Sequence, residues 1–295
     1  MKLLRLPAFA KINACLSILG RRSDGYHELR TVFQMIGLHD ILEMSLLRRP
    51  GIEFECDDPA LPTGRGNLVW QAVDAARRAL RLRAGVRVRL EKRIPVARGL
   101  GGGSSDAAVA LLGVERLARR AIPPERRFAI AAELGSDVPF FLRGGRALGV
   151  GRGEEIYPLP ESPKRSVVVV SPGGIGVSTR DAYAWLARSA RLTKPGAISK
   201  INSFCALCWS GQGSIIENDF EAPVFRRHPR LARLKRALLE HGAAGAALAG
   251  SGSAVFGIFP SPAHARRAAS LFPFDQVFIT ETVSREEYRR ALGGR

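Results

Sequence analysis

Apolar and polar residues repeat with two different periods along this chain, and the periods separate strands from helices. A mixed apolar stretch runs over residues 3–19 and ends at a turn, Arg22-Ser23-Asp24-Gly25. Residues 31–36 are rich in β-formers, and a second such run follows Asp40 over 41–47; both predict strands of an antiparallel or mixed sheet. Asn67 stands where it can cap a helix whose apolar positions Leu68, Ala72, Ala75, Ala76, Ala79 and Leu80 keep helical spacing. Val86, Val88 and Leu90 then alternate with Arg87, Arg89 and Glu91, the pattern of a half-buried strand. A glycine-rich loop over 99–103 leads through Ser104, Ser105 and Asp106 to an alanine- and leucine-rich helix expected over 107–119. Pro123-Pro124 opens another helix that ends near Gly135.

Pro158, Pro160 and Pro163 punctuate the chain before a strand at 167–170, so a domain boundary is expected there, between 1–160 and 161–295. Beyond it the spacing predicts a helix after Ser178, another around 231–241 and a buried strand near 254–259. Residues 189–216 have no clear period and receive no assignment. The expected class is α+β, with mixed or antiparallel sheets packed with helices.

Composition narrows the function classes. With 46% hydrophobic and 24% charged residues, a chain of 295 is neither disordered nor membrane-like, and its length suits two domains. No run approaches the roughly 18 apolar residues of a spanning helix. Lys11 and Asn13 interrupt the N-terminal apolar run, so no signal peptide is expected and the cytoplasm is the expected compartment. Four scattered cysteines make no disulfide framework; Cys205 and Cys208 have the spacing of half a zinc site, but no second pair follows. The net charge of +18 is dispersed in small pairs such as Arg21–Arg22 and Arg226–Arg227, not gathered into a nucleic-acid-binding block. Dispersed charge suits solvated helix faces and attraction of a polyanionic small substrate.

The strand–glycine loop–helix at 95–110 carries the clearest chemistry. Glycines let backbone approach an anion closely, and a following helix start adds free N–H donors and its positive dipole end. Ser104 and Ser105 can cap that helix or reach a phosphate-bound metal. The loop is not a standard P-loop, because the chain has no Gly-Lys dipeptide, and it is not a dinucleotide fingerprint. A plain glycine turn is the alternative.

PVARGLGGGSSDAA over 95–108 closely resembles the second, phosphate-cradling motif of the kinases named for galactokinase, homoserine kinase, mevalonate kinase and phosphomevalonate kinase (GHMP). Its three glycines followed by Ser-Ser-Asp-Ala-Ala are similar to one branch, the 4-diphosphocytidyl-2-C-methyl-D-erythritol kinases of the methylerythritol phosphate route to isoprenoids. PAFAKIN over 7–13 resembles the branch's first motif, and RSDGYHELRTVF over 22–33 its substrate segment. AGSGSAVF over 249–256 resembles the superfamily's third motif, and LGSDVPFF over 134–141 and NDFE over 218–221 fit as well. Arg98 and Ser136 stand where the family more often has alanine.

The resemblance implies a two-domain GHMP fold with its active site in a cleft between the domains, and a kinase using ATP and Mg²⁺. Lys11 and Asp137 would be the catalytic pair, although the residues alone allow an edge-strand charge and a turn cap. Asn67, Pro95, Gly99, Leu100, Gly101, Gly102, Gly103, Ser104 and Ser105 would hold the nucleotide, and Asn67 is equally a helix cap. The acceptor would be a small molecule carrying a cytidine diphosphate group. Tyr26 and Tyr183 would flank its base, His27 would read the base edge, Asn13 would orient the erythritol hydroxyls, and Phe33 and Thr179 would complete the pocket. Phe33 as core and Tyr183 as part of an amphipathic helix are the ordinary alternatives. No nucleic-acid or membrane partner is expected, and the sequence carries no sign of oligomeric state. Two other functions stay open: another GHMP kinase acting on homoserine, mevalonate or a sugar, and a non-catalytic basic protein binding nucleotide or RNA.

Overall fold

The computed structural model describes residues 3–188 and 216–294; Cys205 and Cys208 lie outside them. Two long strands, β1 (Leu4–Arg21) and β2 (His27–Leu47), form the antiparallel spine of a seven-stranded mixed sheet. The turn between them closes through the Arg22 N–H donating to the Tyr26 carbonyl at 2.8 Å, while the Asp24 carboxylate accepts the Tyr26 N–H at 3.1 Å. β3 (Ile52–Cys56) and β4 (Gly85–Glu91) extend one side in the order β3-β4-β2-β1. β5 (Arg146–Val150) pairs with β2 and with β6 (Glu155–Pro158). Helices α1 (Leu68–Ala79), α2 (Gly102–Ala118), α3 (Pro124–Leu134) and α4 (Val138–Arg143) bury their apolar sides in one core with this sheet.

The second sheet is antiparallel, in the order β11 (Gln276–Glu281), β7 (Ser166–Ser171), β10 (Val255–Phe259), β9 (Gly245–Leu248). β7 is buried along its whole length because both its faces are covered. Val168 and Val170 face a core with α5 (Thr179–Arg188), α6 (Glu221–Arg227), α7 (Pro229–Glu240) and α8 (Pro262–Ala269). Val167 and Val169 instead pack with Ala10, Ile12 and Ile36 of the first sheet. An uninterrupted valine run is what a strand buried on two faces needs. Beyond residue 160, described segments return to the first sheet. β8 (Glu217–Asn218) pairs in parallel with β1, and α9 (Arg285–Ala291) sends Tyr288 into the first core, its hydroxyl donating to the Phe141 carbonyl at 2.5 Å.

Two expectations change. The runs at 31–36 and 41–47 are one strand, carried through a fully buried Asp40. That carboxylate accepts from the Arg93 and Ile94 N–H groups at 2.5 and 2.8 Å and from the Lys92 ammonium at 2.5 Å, so its burial is compensated. Helix α2 begins at Gly102, five residues before the expected start, so Ser104 and Ser105 lie inside its first turn and do not cap it. Gly101 is the N-cap, in the left-handed conformation with φ +73°, and no side chain caps the helix. Among the described residues no helix is long and apolar enough to cross a membrane.

Candidate active site

The early start of α2 has a chemical consequence. The first N–H groups of a helix have no intrahelical acceptor, and the first bond back to the N-cap here is made by Ser105, to the Gly101 carbonyl at 2.9 Å. Gly102, Gly103 and Ser104 therefore present their N–H groups at the positive end of α2, where the N-cap Gly101 supplies no side chain to accept them. A cavity of about 340 Å³ opens on one side of this loop, lined among others by Asn67, Pro95, Gly102 and Gly103. A larger one of about 720 Å³ opens on the other, lined by Lys11, Asn13, Tyr26, His27, Asp137 and Tyr183 with their neighbours. Gly99, Gly101 and Ser104 border both.

Strand alternation places Lys11 and Asn13 on one face of β1, and the strand is fixed to the loop by the Lys11 N–H donating to the Leu100 carbonyl at 2.9 Å. Lys11 is 4% exposed, so it is no edge-strand charge. Its ammonium donates to Asn13 Oδ1 at 2.8 Å and lies 3.4 Å from Asp137 Oδ2. Asn13 is held in turn by donating to Thr31 Oγ1 at 2.7 Å, and Thr31 donates to the Cys15 carbonyl at 2.7 Å. Asp137 occupies the N-cap position of α4 but makes no side-chain cap bond; its carboxylate faces Lys11. Asn67 both caps α1, accepting the Val69 N–H at 2.9 Å, and borders the smaller cavity. Phe33 is core as well as cavity wall, stacked on Phe140 at 4.8 Å with the Lys11 ammonium 5.5 Å from its ring centre. Leu100 turns its side chain into the core between the sheets.

The loop at 250–253 rests directly on the glycine loop. A Cβ at Gly252 would come within 2.1 Å of the Arg98 carbonyl carbon, so this approach excludes any side chain. Asn218 holds the loop by donating to the Leu248 and Gly250 carbonyls at 2.8 and 2.7 Å, and Thr179 Oγ1 meets Ser251 Oγ at 3.0 Å. Arg98 donates to Ser253 Oγ at 2.6 Å and to the Ile175 carbonyl.

At the far end of the larger cavity His27 and Tyr183 stack on each other, centroids 4.6 Å apart and planes 24° apart, and Tyr183 meets Phe220 edge-on at 4.9 Å. Tyr26 stands apart, 54% exposed, beneath the Arg152 guanidinium at 4.8 Å. Burial, then the charge of Arg21, lowers the His27 pKa and favours the neutral ring, which offers one donor and one acceptor. Burial, and next the Asp137 carboxylate, push the Tyr183 hydroxyl up to about 12.

Beneath the glycine loop the Lys92 ammonium bridges Asp40 and Asp106 at 2.5 and 2.8 Å. Burial raises Asp106 well above the usual carboxylate range despite Lys92, with Asp40 acting in the same direction. Ser105 Oγ and Asp106 Oδ1 are buried and have no hydrogen-bond partner among the described residues. Sequence reasoning missed Thr31, Arg152 and Lys92. A lone cation between two glycines, Gly151-Arg152-Gly153, was the available signal for the second.

Residues 67–145 match the N-terminal domain of GHMP kinases, and residues 201–272 match their C-terminal domain. The chain is 46% identical over 287 residues to the 4-diphosphocytidyl-2-C-methyl-D-erythritol kinase of Solibacter usitatus, covering 96% of this chain and 90% of that one. The chain belongs to this kinase family. The kinase of that name from Citrifermentans bemidjiense is 42% identical over 277 residues, covering 92% of this kinase and 94% of its own length. A crystal structure of 4-(cytidine 5'-diphospho)-2C-methyl-D-erythritol kinase superposes with a TM-score of 0.79 at 36% identity, over 95% of this kinase and 99% of that chain. Homoserine kinase from Cytophaga hutchinsonii superposes at 0.76 with 18% identity, covering 96% of each chain, a likeness of fold alone.

Proposed function

We propose that this kinase transfers the γ-phosphoryl group of ATP to a hydroxyl of 4-diphosphocytidyl-2-C-methyl-D-erythritol, giving the 2-phosphate on the route to isoprenoid precursors. The observation that carries the reading is the Lys11–Asp137 pair in a cavity bounded on one side by the glycine loop and on another by His27, Tyr183 and Tyr26. ATP would lie in the smaller cavity, with its phosphates toward the N–H groups of Gly102, Gly103 and Ser104. The acceptor oxygen attacks the γ-phosphorus, the bond to the β–γ bridging oxygen breaks, ADP leaves, and Asp137 takes the hydroxyl proton. Lys11 lies where an ammonium stabilises negative charge on the attacking oxygen and the transferring group.

Mg²⁺ would neutralise phosphate charge, bound mainly through phosphate oxygens and water. Among the described residues no group of three or more His, Cys, Asp or Glu side chains is placed to hold a metal. Ser104 borders both cavities, whereas the Ser105 hydroxyl is fully buried and lines neither, so Ser105 is not placed to reach a phosphate-bound ion.

ADP release measured against a panel of acceptors tests the reading. The cytidyl substrate should be turned over in the presence of Mg²⁺, and homoserine, mevalonate and 2-C-methylerythritol 4-phosphate should be very poor. Equal turnover of the uncytidylated phosphate would remove the cytidine assignment and leave the kinase standing.

The base end makes its own prediction. A remote nucleobase site is useful only to an acceptor that carries a base, because binding there orients the distant hydroxyl. Stacking one base on an aromatic ring is worth about 1–3 kcal/mol, roughly ten- to a hundredfold in affinity. Tyr26→Ala and His27→Ala should each lower kcat/KM for the cytidyl substrate by about tenfold or more, with ATP affinity spared. A parallel loss of ATP affinity would mean the substitutions disturb the fold.

A further inference from the structure

The turn between β5 and β6 places a cation on the wall of the larger cavity. Gly151 and Gly153 have positive φ, 71° and 107°, and the Gly151 carbonyl accepts the Leu29 N–H at 2.8 Å, which fixes the turn to β2. Gly153 lies against the catalytic end: a Cβ there would be 4.0 Å from Asp137 Oδ1 and 3.9 Å from the Phe33 ring. One residue earlier, the Arg152 guanidinium covers the Tyr26 ring at 4.8 Å and lines the same cavity. Glu154 fixes its base, accepting the Arg152 N–H at 2.6 Å and Nε at 3.0 Å. Among the described residues the Nη groups pair with no carboxylate, and the guanidinium also engages the Tyr26 hydroxyl. The side chain is 28% exposed, so the guanidinium is neither a core strut nor a fully solvated charge.

We propose that Arg152 grips the diphosphate of the acceptor, with Glu154 as the residue that positions it; this rests on the function proposed above. An acceptor that reaches from Tyr26 to Asp137 must lay its diphosphate between its base and its reacting hydroxyl. Arg152 lines the cavity that joins those ends, with its guanidinium over Tyr26 and the next residue, Gly153, against Asp137. A guanidinium with Nε held still presents the Nη edge, and a planar fork of N–H donors matches phosphate oxygens better than a point charge does. Arg152 also adds a second positive charge to a cavity that Lys11 already lines, which selects acceptors with an anionic middle over neutral alcohols of similar length.

Competition by CDP and by cytidine separates a diphosphate grip from a prop for the Tyr26 ring. Arg152→Met keeps the stem and removes the charge. It should weaken CDP inhibition by roughly tenfold or more while cytidine inhibition stays within about twofold. KM for the cytidyl substrate should rise more than kcat falls, and KM for ATP should hold. Arg152→Lys, which retains charge without the fork, should recover part of the CDP affinity and serves if the methionine variant folds poorly. Equal loss of CDP and cytidine would overturn the proposal in favour of a ring-supporting role. Unchanged CDP inhibition would overturn it outright. Failure of the unsubstituted enzyme to phosphorylate the cytidyl substrate would instead refute the function reading, so the two failures are distinct.

Discussion

Asp137→Asn is expected to lower kcat by roughly 10²–10⁴-fold while ATP affinity changes little, because the amide keeps the shape and cannot take the acceptor proton. The substitution is clean for a structural reason. Asp137 makes no cap bond at the start of α4, so no helix end depends on its charge. Lys11 keeps the 2.8 Å hydrogen bond to Asn13 when the carboxylate is gone. The carboxylate itself is one-third exposed to the cavity, at 33%, where a substrate hydroxyl can reach it. Steady-state ADP release together with a thermal melt reads chemistry and stability separately. A fall below tenfold would reduce Asp137 to a residue that orients the hydroxyl, which a loose phosphoryl-transfer transition state permits. Lys11→Met should also act mainly on kcat, since the Asp137 left without its ammonium is exposed enough to be hydrated. An effect confined to the melt would remove Lys11 from the chemistry.

The second large effect is expected at Gly99. An alanine Cβ there would lie 1.7 Å from the Ala249 carbonyl oxygen and 2.9 Å from the Gly252 nitrogen, at φ +81°. These are backbone atoms, and no side-chain rotation relieves them. The left-handed conformation costs about 1–2 kcal/mol for a residue with a Cβ, and overpacking typically adds about 1–3 kcal/mol. Gly99→Ala should therefore force the two loops apart, lower Tm by on the order of 5–10 °C and weaken ATP binding by about tenfold or more. Unchanged Tm and ATP affinity would mean that the loops are not in contact in solution. Gly101→Val differs in kind. Its Cβ would meet the Phe141 ring at 2.8 Å and Lys11 Cγ at 3.0 Å, so the displaced lysine should add a loss of kcat to the loss of ATP binding.

Much of this was legible locally. The helix over Leu68–Ala79 with its Asn67 cap, the half-buried strand over Gly85–Glu91 and the helix over Pro124–Leu134 follow from period and cap, which act within a few residues. The glycine loop was legible as a candidate phosphate cradle because the chemistry proposed for it resides in its own backbone. The start of α2 was misplaced for a related reason. Glycine is a poor helix former in isolation, and only the packing of α2 against the first sheet holds Gly102 and Gly103 in the helix.

The C-terminal third was read more thinly. β9, β11, α8 and α9 went unassigned: short elements carry too few residues to establish a period. Asp40 interrupted a strand in the sequence because a lone aspartate usually breaks an apolar run. Its partner Lys92 stands 52 positions away, and no local pattern could supply it. Lys11 and Asp137 were each ambiguous alone, since an isolated charge is most often on the surface. The sequence by itself determined the longer elements with a clear period, the glycine backbone proposed to bind phosphate and the residue types of the proposed phosphoryl-transfer site. Tertiary structure alone decided which charges are buried together, that His27 stacks on Tyr183, and that Arg152 reaches Tyr26. The physical reason is range: propensity and periodicity act between near neighbours, whereas burial, pairing and stacking depend on which distant segments the packed sheets bring into contact.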